Sequence, residues 1–341
     1  MTERPGMKVV FNCQTPFMLT HGGGQVQIEQ TIAGLRRVGV EVEHLRWWDD
    51  RQRCDILHLF DRPLISQLER AQQKGIKVVL EQLLTGLGSR PPWILRFQKA
   101  AIKLGMRLLP KMISARFSWD AFQRCDACIA NTPWEAHLMQ YVFGAAPDRV
   151  HVLPNGVEDV FRSSTKAERG PWLVCTATIT VRKRVLELAE AAVHASTPVW
   201  IIGKPYAESD PYFARFLEVA RRNPQIVRYE GAITDRSRLA QIYREARGYV
   251  LLSTMETRSL SSEEAAACEC PLLLSELPWA KSVFGASAWY CPITGSVGRT
   301  SRALRQFYEA APSLPPPPKP VSWLQVGEQL KAIYEKTLRG A

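Results

Sequence analysis

The sequence has no run of about 18 consecutive apolar residues, so no membrane-spanning helix is expected. Residues 1–8 are mostly polar and the apolar run after them, residues 9–11, is far too short for an export signal; a cytoplasmic location is the expectation. Eight cysteines without an export signal are expected to be reduced thiols. Cys125-Asp-Ala-Cys128 is the one CxxC, and Cys268-Glu-Cys270 is too closely spaced to be its usual zinc partner, so small buried thiols are expected and no metal. With 21 glycines and 23 prolines the chain is neither collagen-like nor of low complexity, and 46% apolar content excludes disorder over most of its length. GxGxxG is absent, and no acidic residue closes the second expected strand where a ribose ligand would stand, which argues against a dinucleotide cofactor. Acidic residues are outnumbered, 33 against 44 basic ones, for a net charge of +11. No nucleic-acid recognition motif accompanies that charge, and outside one basic segment, residues 91–119, aromatic and basic residues are not interleaved, so no nucleic-acid partner is expected.

What is present is a pattern that occurs twice. Lys8–Asn12 reads as a strand, His21-Gly-Gly-Gly24 as a turn, and residues 26–38, closed by Gly39, as a helix. Further strands are expected at residues 40–45, 55–60, 76–80 and 127–130. After the turn Leu153-Pro-Asn-Gly156 and a polar stretch over residues 162–170, strands are expected at 172–177, 199–203, 227–230, 249–252 and 272–275, with helices at 185–194 and 213–222. Continuous apolar strands spaced by helices indicate parallel sheets covered on both faces. A proline run over residues 314–320 precedes a last helix, 323–338, that can cross back onto the first domain. At 341 residues the chain is therefore expected to be α/β, with two doubly wound Rossmann-like domains, 1–162 and 163–320, a returning helix over 321–341, and a ligand cleft facing the carboxyl ends of the strands.

The segment Glu256-Thr-Arg-Ser-Leu-Ser-Ser-Glu-Glu264 follows an expected strand and runs into an alanine-rich helix. A helix N-terminus attracts a diphosphate, and a nearby carboxylate accepts hydrogen bonds from ribose hydroxyls; a capping box or solvated acidic face is the alternative. The basic cluster Arg182-Lys-Arg184 also stands at an expected helix start, where cations are disfavoured unless an anion is close.

The Glu256 to Glu264 spacing resembles the Glu-x7-Glu signature of family-four glycosyltransferases of the GT-B fold. Weaker blocks agree in order: Gly22-Gly-Gly24, Gly39-Val-Glu-Val42, Asp55-Ile-Leu-His58, Val152-Leu-Pro-Asn-Gly-Val157, Ile201-Ile-Gly203, Tyr229-Glu-Gly231 and Trp323. The resemblance implies retaining transfer of a sugar, of hexosyl type, from a UDP- or GDP-linked donor to a glycan or lipid-linked acceptor, with the nucleotide sugar as substrate and no cofactor. It assigns catalysis to Glu256 and Lys183 and donor binding to Gly23, Gly24, Arg182, Arg184, Gly203, Arg258, Ser259, Leu260 and Glu264, with His58 and Asn155 on the acceptor side. Two positions depart from the family: Thr178 stands where relatives carry a diphosphate-binding Arg, leaving Arg182 or Arg184 to substitute, and Thr257-Arg-Ser259 replaces Gly-Phe-Gly. Arg258 could meet a phosphate or point to solvent. A catalytically silent GT-B subunit binding a glycan or partner, and a nucleotide-sugar epimerase, are the alternatives.

Residues 91–119 contain no acid but carry Arg96, Lys99, Lys103, Arg107, Lys111 and Arg116, interspersed with Trp93, Phe97 and Leu104. A basic amphipathic helix of this kind lies on an anionic membrane surface as a peripheral anchor, or packs as a core helix with a solvated basic face. The interface reading singles out Trp93, Arg96, Lys99, Lys103 and Arg107.

Overall fold

The computed structural model describes residues 6–14, 17, 22–110, 116–163, 167–293 and 296–340; His21 and Lys111 lie outside them. The chain divides into two units, Met1–Gly156 together with Val321–Ala341, and Val157–Pro320.

In the first unit six strands, β1 (Lys8–Asn12), β2 (Glu41–His44), β3 (Ile56–Leu59), β4 (Lys77–Leu80), β5 (Ala127–Ala130) and β6 (Val150–Val152), form a sheet in the order β2-β1-β3-β4-β5-β6. Every pairing is parallel, with Val10 opposite Leu57 and Leu57 opposite Val78. Parallel strands need crossovers that cover both faces, which is why Val9 to Phe11, Val78 to Leu80 and the whole of β5 are buried. The helix Gly23–Arg37 buries Ile28, Ile32 and Leu35 and ends at Gly39, whose positive φ of 80° suits the turn into β2. Against it lies the C-terminal helix Trp323–Arg339, started by a capping box between Ser322 and Gln325. The two helices cross at Gly34 and Gly327, where a Cβ on either would collide with the opposing backbone. The returning helix is thus built into the first unit.

In the second unit β7 (Leu173–Thr176), β8 (Val199–Ile202), β9 (Val227–Tyr229), β10 (Gly248–Leu251), β11 (Leu272–Ser275) and β12 (Trp289–Cys291) are ordered β12-β11-β10-β7-β8-β9, again all parallel. Alternate residues of one strand enter opposite layers: Val174 packs with Tyr243, Tyr249 and Trp279, whereas Leu173 and Cys175 pack with Phe216, Leu304 and Phe307. The architecture is therefore α/β with two Rossmann-like halves, as expected. The units divide after Gly156 rather than 162, because Val157 and Phe161 are buried in the second unit's core before the polar stretch begins. β6 and β12, three residues each, were not expected.

All eight cysteines are free and six are buried; burial pushes the Cys128 thiol up to about 12. Among the described residues no group of three or more His, Cys, Asp or Glu could hold a metal, and no helix is long and apolar enough to cross a membrane.

Candidate active site

In the second sheet the chain winds one way from β7 through the helix Val185–Ala195 to β8, and the other way from β10 through Leu260–Ala267 to β11. The topological switch point therefore lies between the neighbouring strands β7 and β10, and open α/β sheets bind ligands at the carboxyl ends there. Arg182, Lys183 and the segment from Ser253 to Glu264 emerge at those ends.

A tight turn, Val181–Lys183, is capped by Thr180, whose hydroxyl accepts the Lys183 N–H at 3.4 Å, and Arg184 adopts left-handed backbone with φ 52° before the next helix. The reversal brings the Arg182 carbonyl to the Thr254 N–H, 2.8 Å away, tying the loops after β7 and β10 together. On this frame Arg182 Nη1 donates to Met255 O at 2.8 Å and to Glu256 Oε1 at 3.0 Å, and Lys183 Nζ donates to the same carboxylate oxygen. Glu256 is 8% exposed, so two cations share one nearly buried anion and the triad carries a net positive charge. Arg182 thus places a guanidinium beside Lys183. Arg184 is engaged elsewhere, donating to Ile293 O at 2.9 Å.

Ser259 caps the helix Leu260–Ala267, its Oγ accepting the Ser262 N–H at 3.4 Å, and the first-turn N–H groups around Leu260 are those that a helix start leaves without intrahelical partners. Tyr249, at the core of the sheet, supports this start through a 2.7 Å contact between its hydroxyl and Ser261 Oγ. Arg258 does not point to solvent. Its side chain, 10% exposed, pairs with the fully buried Glu263 at 2.9 Å, while desolvation pushes the Glu263 carboxyl upward. An internal carboxylate thus holds the guanidinium back from the solvent-facing position that was the other expectation for Arg258.

Glu264 is buried, and desolvation raises its carboxyl while Arg236 opposes that rise. Arg236 Nη2 donates to Glu264 Oε1, and its Nε donates to Glu158 Oε1 at 2.8 Å. The same guanidinium lies over the Phe161 ring, 4.7 Å from its centroid. Two carboxylates on one cation leave acceptor capacity suited to hydroxyl groups. Sequence reasoning missed Arg236 and Glu158; the available signal was a cation in the first helical position after Asp235, the same dipole conflict that drew attention to Lys183. Gly203, with φ 155°, ends β8 so close to Ala177 that any Cβ would strike the Ala177 carbonyl oxygen, a packing reason for glycine there.

The first unit has its own switch point between β1 and β3. Gly23 and Gly24 are exposed at the start of the helix Gly23–Arg37, and Gly24 lines a cavity of about 370 Å³ with Cys13, Phe60, Asp61 and Gln82. His58 does not reach a pocket. It is wholly buried, with Nδ1 2.5 Å from the Tyr334 hydroxyl and Nε2 3.2 Å from Glu81 Oε2, while Gln27 donates to the other Glu81 oxygen. A strand-end histidine has here become a core pin between β3 and the C-terminal helix, and its expected acceptor-side role is corrected. Asn155 is buried in a turn that packs under Trp323, whose backbone nitrogen would lie 2.6 Å from a Cβ at Gly156. Trp93, Arg96, Lys103 and Arg107 are exposed on the helix Pro92–Leu108, whereas Lys99 lies over the Tyr141 ring, 3.7 Å from its centroid.

Two parallel doubly wound units, with cationic and acidic clusters at the second switch point, define the class: the fold is that of the GT-B glycosyltransferases. Within that class, residues 35–160 match the family model described as Glycosyltransferase Family 4. No curated relative matches the chain by sequence. Similar solved structures include sucrose-phosphate synthase from Thermosynechococcus elongatus, with a TM-score of 0.67 at 14% identity over 98% of this chain and 100% of that one. The lipopolysaccharide outer core galactosyltransferase WaaB gives 0.64 at 14% identity over 97% and 100%. Anabaena HepE in complex with UDP and glucose gives 0.62 at 11% identity over 96% and 99%.

Proposed function

We propose that the chain is a retaining glycosyltransferase, of hexosyl type, that moves a sugar from a UDP- or GDP-linked donor held by the second unit to a glycan or lipid-linked acceptor held by the first, on the cytoplasmic side. The observation that carries the reading is the Arg182–Lys183–Glu256 cluster at the β7/β10 switch point, where the loop after β7 meets the loop that leads into the helix beginning at Leu260. A diphosphate meeting this cluster would replace one internal carboxylate with several phosphate oxygens, and the helix dipole would add to the attraction. The two cations then stabilise the charge that develops as the anomeric C–O bond breaks and the diphosphate departs, without need of a metal cofactor. The acceptor oxygen forms the new bond on the same face, and its proton passes to a diphosphate oxygen, so no strong protein base is required. Glu264 accepts hydrogen bonds from the donor ribose. HepE in complex with UDP-glucose and the galactosyltransferase activity in WaaB's name favour a UDP-linked hexose.

Thermal-shift measurements against UDP-, GDP- and ADP-sugars test the reading. A true donor at 100 times its dissociation constant stabilises by about 2.7 kcal/mol, and Lys183→Ala is expected to abolish most of that gain. No shift with any member of the panel would refute donor binding, and an inverted anomeric product by NMR would refute retention.

A further inference from the structure

The helix Pro92–Leu108 is amphipathic in an unusual sense: it has an apolar core face and a second apolar face turned to solvent. Only Leu95 and Ile102 are buried, where the helix packs against Pro133–Phe143. Trp93, Phe97, Leu104 and Leu108 are 70%, 74%, 58% and 67% exposed. At about 100° per residue these four fall in one arc of roughly 60°, nearly opposite Leu95 and Ile102, and form a continuous row along the helix. Arg96, Lys103 and Arg107, all exposed, make an adjacent row, and no acidic residue occurs from 91 to 119. Lys99 belongs to neither row, being held against Tyr141 on the packed side. The helix is seated firmly: Gly105 is so close to Trp119 that a Cβ there would lie 2.6 Å from the ring.

We propose that this helix is an interfacial anchor that lies flat on an anionic lipid surface, the Trp93-Phe97-Leu104-Leu108 row entering the headgroup region and the Arg96-Lys103-Arg107 row meeting lipid phosphates. A row of large apolar side chains beside a row of cations, without an acid among them, complements a surface that is negative outside and apolar beneath. A second copy of the chain would bring like-charged rows together, which disfavours self-pairing through this face. Lipid docking does not depend on the transfer reaction, and it goes beyond that reading by giving the first unit a defined orientation toward a bilayer.

The test is co-sedimentation of the full chain with phosphatidylcholine vesicles with and without phosphatidylglycerol. The three cations are expected to favour the anionic vesicles by about fivefold each at low salt, an advantage that falls as ionic strength rises. Phe97→Ser with Leu104→Ser should lose at least about tenfold in binding to the anionic vesicles, and Arg96→Gln with Lys103→Gln should remove most of the anionic preference while apolar binding persists. Unchanged melting temperature and unchanged nucleotide-sugar binding in these variants establish that fold and donor site are intact. Absence of vesicle binding at low salt would overturn the proposal, as would binding indifferent to both pairs of substitutions. A concentration-dependent dimer of the lipid-free chain that the serine variants abolish, without vesicle binding, would assign the face to self-association instead.

Discussion

Glu135 offers a sharp test of how burial controls charge in the first unit. It sits in the first turn of Pro133–Phe143, 2% exposed, with Oε1 accepting the Leu84 N–H at 2.7 Å and Oε2 accepting the Asn131 N–H at 2.8 Å. Desolvation raises its carboxyl from 4.5 to about 7, against the pull of those two backbone hydrogen bonds. Between those values the folded chain keeps a proton that the unfolded chain has lost, so stability falls as pH rises through the window. A carboxyl raised from 4.5 to about 7, at about 1.36 kcal/mol per tenfold change in proton affinity, places the loss on the order of 3 kcal/mol by about pH 8, after which it is constant. Glu135→Gln removes the titration and keeps the side-chain shape. Hydrogen exchange followed on peptides from β5 and Pro133–Phe143, at pH values from about 5 to 8, reads the first unit alone once intrinsic rates are divided out. Protection in the native chain should decline relative to Glu135→Gln as pH rises. Parallel profiles would mean that the carboxylate is already ionised when folded, and the desolvation argument would fail.

Gly203→Ala must displace the Ala177 carbonyl or distort the end of β8, and a loss of more than about 3 kcal/mol is expected from thermal unfolding; a near-neutral result would mean that the two loops separate freely. Tyr334→Phe leaves the buried His58 Nδ1 without its partner at a cost of about 1–2 kcal/mol, which equilibrium denaturation would register. Glu256→Gln releases Arg182 and Lys183 from their shared carboxylate, so UDP itself should bind more tightly while turnover of a UDP-sugar falls at least about 100-fold; unchanged turnover would remove Glu256 from the reaction.

The sheets were legible because buried parallel strands leave an unmistakable trace. β5, β8 and the three leucines of β11 are apolar runs lacking alternation, and helices such as Pro133–Phe143 and Pro211–Arg222 begin at proline behind a capping side chain. Arg182 and Lys183 were legible for a different reason, since a cation at a helix start signals a missing anion. Side-chain direction was not legible. Arg258 and Arg182 are both cations near the same helix, yet one is folded inward on Glu263 and the other shares Glu256. His58 likewise had the strand-end position of a ligand-binding residue, and its contacts with Glu81 and with Tyr334, distant in sequence, make it internal. Contacts between residues far apart along the chain leave no local pattern, which is also why the Glu158–Arg236–Glu264 cluster escaped notice.

The position of Trp323–Arg339 within the first unit has a consequence for biosynthesis. The second unit is an insertion in the first, begun after Gly156 and complete at Pro320, so every residue it needs has been made before the helix that finishes its host exists. The Gly34–Gly327 crossing and the His58–Tyr334 contact therefore cannot form until residues made after the whole second unit are available. Until that helix is in place the groove along Gly23–Arg37 that it fills is open to solvent, so a chain cut at Pro320 would keep every residue of the second unit and expose an apolar face of the first.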